Sequence, residues 1–142
     1  MIKTSFAHVG LNCRSIRVTE RFYCKHFGFK RARVVPLGKD QIVFLRSKST
    51  WLELFQGKGE GKKVLKDGPA EAGFRHMAFK VSSVDGKLRE MGRSAKVTLG
   101  PFGFDDFIKG WRGVWIMDPD GRILELSQGY KDQRNPPPSG RS

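Results

Sequence analysis

With 142 residues, 38% of them hydrophobic, the chain can bury one good core and is too short for two ordinary domains. Its 27 Lys and Arg outnumber its 14 Asp and Glu, but they are scattered, with small clusters at Lys30-Arg31-Arg33, at Lys58-Lys62-Lys63-Lys66 and in the tail; no helix-turn-helix or aromatic-basic motif accompanies them, so the +13 charge predicts a solvated surface and no nucleic-acid partner. Cys13 and Cys24 stand too far apart for a C-x-x-C pair and too few for a disulfide framework, and no run of about eighteen apolar residues exists, so a soluble, cytoplasmic protein without membrane partners is expected.

The first element in the chain is a strand, His8-Val-Gly-Leu-Asn-Cys13. Ser15 then suits the N-cap of a helix through Phe27, because Ile16, Thr19, Tyr23 and Phe27 recur at helical spacing, and Gly28 suits its stop. Three runs of β-type composition follow, Arg31 to Leu37, Gln41 to Arg46 and Trp51 to Gln56, separated by Gly38-Lys-Asp and Ser47-Lys-Ser. Gly57 to Gly73, rich in Gly and Lys, reads as a linker.

The pattern then starts again. His76-Met-Ala-Phe-Lys-Val81 aligns with the first strand, and a shorter helix is expected from Val84 to Met91, with Gly92 at its stop. Strands are expected at Lys96 to Leu99, Gly113 to Met117 and Arg122 to Ser127, with the turn Asp118-Pro-Asp-Gly121 between the last two. Ile123-Leu-Glu-Leu-Ser-Gln-Gly129 shares Leu-Glu-Leu-x-Gln-Gly with Trp51-Leu-Glu-Leu-Phe-Gln-Gly57. Pro101 to Gly110 is extra to the second half; its three phenylalanines either pack down or cover a pocket, which makes Phe104, Phe107 and Trp111 lid candidates. Lys131 to Ser142, with Pro136-Pro-Pro138, offers nothing to bury and is expected to be disordered.

The predicted fold is therefore α+β: two βαβββ modules, at about 4–57 and 74–130, in one domain over 1–130 with a linker at 58–73. Residues two apart on a strand share a face. His8 therefore lies with Phe6, Gly10 and Asn12, His76 with Phe74, Ala78 and Lys80, and Glu53 and Glu125 each point away from two flanking leucines. If the modules curl toward one another, His8, Glu53, His76 and Glu125 converge on a shared concavity. Two carboxylates there would repel, and a divalent cation removes the repulsion; mixed imidazole and carboxylate donors suit Zn, Ni, Mn or Fe, with positions left open for a small-molecule substrate. His26, beside Lys25 and without a counterpart in the repeat, reads as a surface residue.

These features resemble the vicinal oxygen chelate superfamily, which includes glyoxalase I, extradiol dioxygenases, fosfomycin-resistance proteins and bleomycin-resistance proteins. The resemblance spans about residues 5 to 130 and rests on His8-Val-Gly-Leu, Phe22-Tyr23 with Gly28-Phe29, His76-Met-Ala-Phe, and Asp118-Pro-Asp-Gly121 followed by Glu125. It implies paired modules whose curved mixed sheets surround a metal-binding cavity, and commonly a homodimer. The His, Glu, His, Glu order is similar to glyoxalase I, lactoylglutathione lyase. Carried over, His8, Glu53, His76 and Glu125 hold one metal, Glu125 and Glu53 are the catalytic carboxylates, and a proton moves through an enediolate. Asn12 stands where glyoxalase I often carries a glutathione-binding Arg, and Trp51, Phe104, Trp111, Arg112 and Trp115 are further substrate-binding candidates. The alternatives are an Fe(II)-dependent extradiol-type dioxygenase and a non-catalytic binding protein of the bleomycin-resistance type.

Overall fold

The computed structural model describes residues 1–59 and 72–140; most of the expected linker, 60–71, lies outside the described residues. The fold is α+β, two four-stranded mixed sheets each carrying one helix, as two βαβββ modules require. The chain divides into two compact units, Met1–Gly73 with Met117–Ile123, and Phe74–Ile116 with Leu124–Ser142.

In the first unit, β1 (His8–Cys13), β2 (Lys30–Leu37), β3 (Asp40–Ser47) and β4 (Thr50–Gln56) form a sheet in the order β1-β4-β3-β2. The outer strand β1 runs parallel to β4, and the other pairs are antiparallel. Helix α1 (Ile16–Phe27) starts where Ser15 Oγ accepts from the Val18 N–H at 3.3 Å and ends at Gly28, whose φ of 68° is the left-handed conformation glycine supplies cheaply. The core is the inward face of these elements: Leu11, Ile16, Tyr23, Val43, Leu45, Leu52 and Leu54 are all buried. Alternation along β1 and β4 decides this, since each of these leucines contributes about 1.5–3 kcal/mol only if its strand keeps its register.

The second unit repeats the arrangement. Strands β5 (Met77–Lys80), β6 (Lys96–Gly103), β7 (Arg112–Met117) and β8 (Ile123–Gln128) form a sheet in the order β5-β8-β7-β6, and β5 is parallel to β8. Helix α2 (Val84–Met91) is capped by Ser83 and followed by a short 3₁₀ turn at Gly92–Ser94. Val84, Val114, Ile116, Leu124 and Leu126 are fully buried.

The glutamines of the shared Leu-Glu-Leu-x-Gln-Gly segment have a structural task. Gln56 Oε1 accepts from the Ile16 N–H at 3.4 Å, and Gln128 Oε1 accepts from the Val84 N–H at 2.8 Å. Each ties the last strand of a module to the first amide of its helix, where backbone donors otherwise lack partners.

Two expectations are corrected. His26 is buried, not on the surface, and its ring packs edge-on to Phe22 at 5.2 Å. It lies four residues after Phe22 and seven after Thr19, on the apolar stripe of α1, and that helical spacing outweighs its polar side chain. The strand expected at Lys96 to Leu99 runs on to Gly103 and takes in the start of the supposed loop. Within the tail, residues 131–140 form no helix or strand.

The turn Asp118-Pro-Asp-Gly121 packs against α1 within the first unit. Asp118 is buried and accepts from Tyr23 Oη at 2.7 Å, Arg122 Nη1 at 2.8 Å and the Asp120 N–H at 2.8 Å. Asp120 accepts from Thr19 Oγ1 at 2.7 Å and from the Arg14 N–H at 2.9 Å, while Arg122 Nη2 donates to the Asn12 carbonyl. Burial pushes the Tyr23 phenol well above its ordinary 10.0, and the charge and hydrogen bond of Asp118 push the same way. A raised folded value means that Tyr23's contribution is complete below about pH 10 and declines above it, as the unfolded chain gives up its proton first. Denaturant titrations should show stability falling above about pH 10. In Tyr23→Phe the baseline should drop by about 1–2 kcal/mol and this alkaline decline should shrink; an unchanged decline would remove Tyr23 as its source.

Candidate metal centre

The two histidines and two glutamates occupy matching places in the two sheets. In the first, Gly10 is the register partner of Glu53, and His8 lies two residues before Gly10 on the same face. In the second, Ala78 is the register partner of Glu125, and His76 lies two residues before Ala78. His8 and Glu53 are thus diagonal neighbours on adjacent parallel strands, and His76, immediately before β5, stands in the same relation to Glu125, each within reach over a small residue. His8 Nε2 lies 2.8 Å from Glu53 Oε2, and His76 Nε2 lies 3.1 Å from Glu125 Oε2. The buried leucines on either side of each glutamate fix its direction, because a turn of the strand that hid the carboxylate would expose both.

The donor set fits a divalent transition metal. Two donors each about 2.1 Å from one cation and at right angles stand about 3.0 Å apart, which is the spacing in both pairs. An imidazole–carboxylate hydrogen bond spans the same gap, so the repetition of the register carries more weight than either distance. Among the described residues no group of three or more His, Cys, Asp or Glu side chains is assembled for a metal ion, so each unit presents a two-donor pair.

The surroundings of the pairs differ. In the first unit a cavity of about 590 Å³ opens beside His8, lined also by Phe6, Arg33, Phe44 and Trp51. The His8 ring meets Phe44 edge-on at 5.7 Å, and the Arg46 guanidinium lies over Trp51 at 4.8 Å. In the second unit Gly113 leaves room beside Glu125. A Cβ there would come within 3.3 Å of Glu125 Oε1 and 3.5 Å of the rings of Phe104 and Trp115. Phe104 packs against Trp111 at 4.9 Å, and Trp111 Nε1 donates to Ser127 Oγ, two residues past Glu125 on its face, at 3.4 Å.

The chain matches the Glyoxalase/Bleomycin resistance protein/Dioxygenase superfamily over residues 5–126. It belongs to that superfamily. A curated relative, the uncharacterized protein YwkD of Bacillus subtilis, is 26% identical over 129 residues, covering 89% of this chain and 98% of the relative. The crystal structure of SMU.1112c is similar with a TM-score of 0.69 at 25% identity, covering 88% of this chain and 98% of that one. The fosfomycin resistance protein FosX from Listeria monocytogenes superposes with a TM-score of 0.66 at 16% identity, covering 91% of this chain and 96% of that one, a likeness of fold.

Other sequence candidates of this superfamily member fall into three groups. Trp51 is the register partner of His8 and shares its cavity, while Phe104, Trp111 and Trp115 gather near Glu125. Asn12 lies further along the His8 strand face, exposed, with its carbonyl engaged by Arg122. Arg112 shares strand parity with the buried Val114 and Ile116, faces α2 and pairs with Asp85 at 3.0 Å, away from Glu125. Of the lid candidates, Phe107 is 80% exposed while Phe104 is packed.

Sequence reasoning passed over Gly113 and Gly129. Gly129 has a φ of 78°, and a Cβ on it would lie 2.3 Å from the Gly110 carbonyl oxygen, so the segment carrying Phe104 and Trp111 closes against bare backbone. Gly129→Ala should therefore displace that segment and cost about 2 kcal/mol or more. Thermal melts measure the loss, and an increase in Trp emission wavelength should report the opened Trp111; an unshifted melt would contradict the contact.

Proposed function

We propose that this protein is a metal-dependent enzyme of glyoxalase type, a lyase or isomerase that shifts a proton between adjacent carbons of a small oxygenated substrate. The single observation behind this reading is the twice-used register that sets an imidazole beside a carboxylate at 2.8 and 3.1 Å. In this reading His8, Glu53, His76 and Glu125 hold one divalent cation, Ni, Zn, Mn or Fe. Support for a metal of this kind comes from FosX of the same fold, a mutant of which is complexed with Mn(II) and 1S,2S-dihydroxypropylphosphonic acid. Each pair alone offers two donors, short of the four that such a site takes. The reading also includes a homodimer, the assembly common in this superfamily.

The cation, when bound, supplies Lewis acidity that draws charge onto the substrate's oxygens. Glu125 takes the proton from the carbon beside the carbonyl and returns it to the neighbouring carbon. Its flanking leucines, both buried, hold the carboxylate in place. The rings of Phe104 and Trp115 gather with Glu125 around the bare Gly113 backbone, where any larger residue would press on the carboxylate. Glu53, with its carboxylate 2.8 Å from His8 Nε2, would hold the cation beside that imidazole.

Metal analysis of protein purified without added metal, with turnover of the methylglyoxal–glutathione hemithioacetal, tests this reading. Ni, Zn or Mn with proton-transfer activity is the expected result. Oxidisable iron with cleavage of a catechol ring would replace it by the dioxygenase, and a protein that takes up no metal would replace it by a binding module.

A further inference from the structure

The sheet of the first unit contains an irregularity that re-aims one arginine. Pairing between β2 and β3 runs Lys30 with Arg46 and Arg31 with Leu45, then jumps to Arg33 with Phe44, leaving Ala32 as an extra residue. Without that bulge Ala32 would oppose Phe44, and Arg33 would oppose the fully buried Val43 on the helix-facing side. With it, Arg31 and Arg33, which an unbroken strand would send to one face, go to opposite faces. Arg31 forms a two-pronged pair with Glu20 of α1, Nε to Oε1 at 2.7 Å and Nη2 to Oε2 at 2.6 Å. Arg33 instead completes a row across the four strands, Gly10, Glu53, Phe44 and Arg33, in which every residue is the register partner of the next.

We propose that Arg33 is the anion-binding group of this site and selects a substrate bearing a carboxylate or phosphate. It lines the cavity beside His8, with Phe44 and Trp51 as apolar walls. Among the described residues no carboxylate pairs with Arg33, whereas Arg31 has Glu20, Arg46 lies over Trp51 and donates to the Lys48 carbonyl at 2.8 Å, and Arg122 has Asp118 and Asp120. A guanidinium in a cleft with apolar walls presents a fork of donors suited to two oxygens of an oxyanion. The polar end of the substrate would sit at Arg33 and its reacting carbons toward His8 and Glu53. The inference rests on the proposed function for the identity of the site, while the binding step needs only Arg33 and the cavity.

The test uses the full chain, treated with chelator and not, titrated with acetate, inorganic phosphate and, as a neutral control, hydroxyacetone. The indole N–H resonance of Trp51, assigned with Trp51→Phe, reports occupancy. The expected result is a saturable shift with phosphate or acetate, weakened about tenfold in Arg33→Ala and about threefold in Arg33→Lys, at unchanged circular dichroism. The stronger anion identifies the headgroup class. Equal affinity in Arg33→Ala, or no shift with either anion, overturns the proposal. Because the chelator-treated protein is measured too, loss of the metal reading leaves this result standing, and a metal-loaded active enzyme with anion binding indifferent to Arg33 refutes this proposal alone.

Discussion

Glu125→Gln should lower turnover by about a thousandfold while the fold persists, because the amide keeps the shape of the side chain and loses the proton acceptor. Leu124 and Leu126, fully buried beside it, hold the strand in place whichever side chain stands between them. The variant should keep its thermal midpoint, and the substrate concentration at half-maximal rate should change much less than the rate. Glu53→Gln separates the two carboxylates: in the proposed reading Glu53 is a ligand beside His8, 2.8 Å away, so its loss should act mainly through metal content. Full activity in Glu125→Gln would take that residue out of the chemistry.

The largest expected loss of stability is at Asp118→Ala. The carboxylate has no exposed surface, and Arg122 is only 14% exposed. Removing it strips Tyr23 Oη of its acceptor at 2.7 Å and leaves Arg122 only Asp120 at 3.1 Å and the Asn12 carbonyl. Breaking a buried pair from one side costs about 3–5 kcal/mol, far more than an exposed pair such as Lys87 with Glu90. A fall of about 10 °C or more in the thermal midpoint should follow. Asp118→Asn, which can still accept from Tyr23, should lose less. A shift of about a degree in Asp118→Ala would mean the turn stabilises α1 by other means.

The fold was legible because the chain states its pattern twice. Period-two burial around Glu53 and Glu125, Ser15 as a cap, and glycine stops at Gly28 and Gly92 are local signals, and the elements they define formed. The positions of His8 and Glu53, and of His76 and Glu125, on common faces followed from strand parity alone, as did the leucines behind them. What depended on contacts distant in sequence was not legible. The bulge at Ala32 reverses the parity of Arg33, and no residue there announces it. Arg112 shares the parity of the buried Val114 and Ile116, and its pairing with Asp85 depends on a helix 27 positions earlier. For His26 residue type points outward while helical phase points inward, and phase decides. The meeting of Gly129 with Gly110 is a backbone contact across nineteen positions, beyond any periodicity.

Metal stoichiometry of the purified protein and of His8→Ala and His76→Ala is the most direct measurement of whether the two pairs serve one ion. One metal per chain, lost in either variant, is the predicted result. Two metals per chain, or a variant that keeps the other pair's metal undiminished, would show that the pairs act separately.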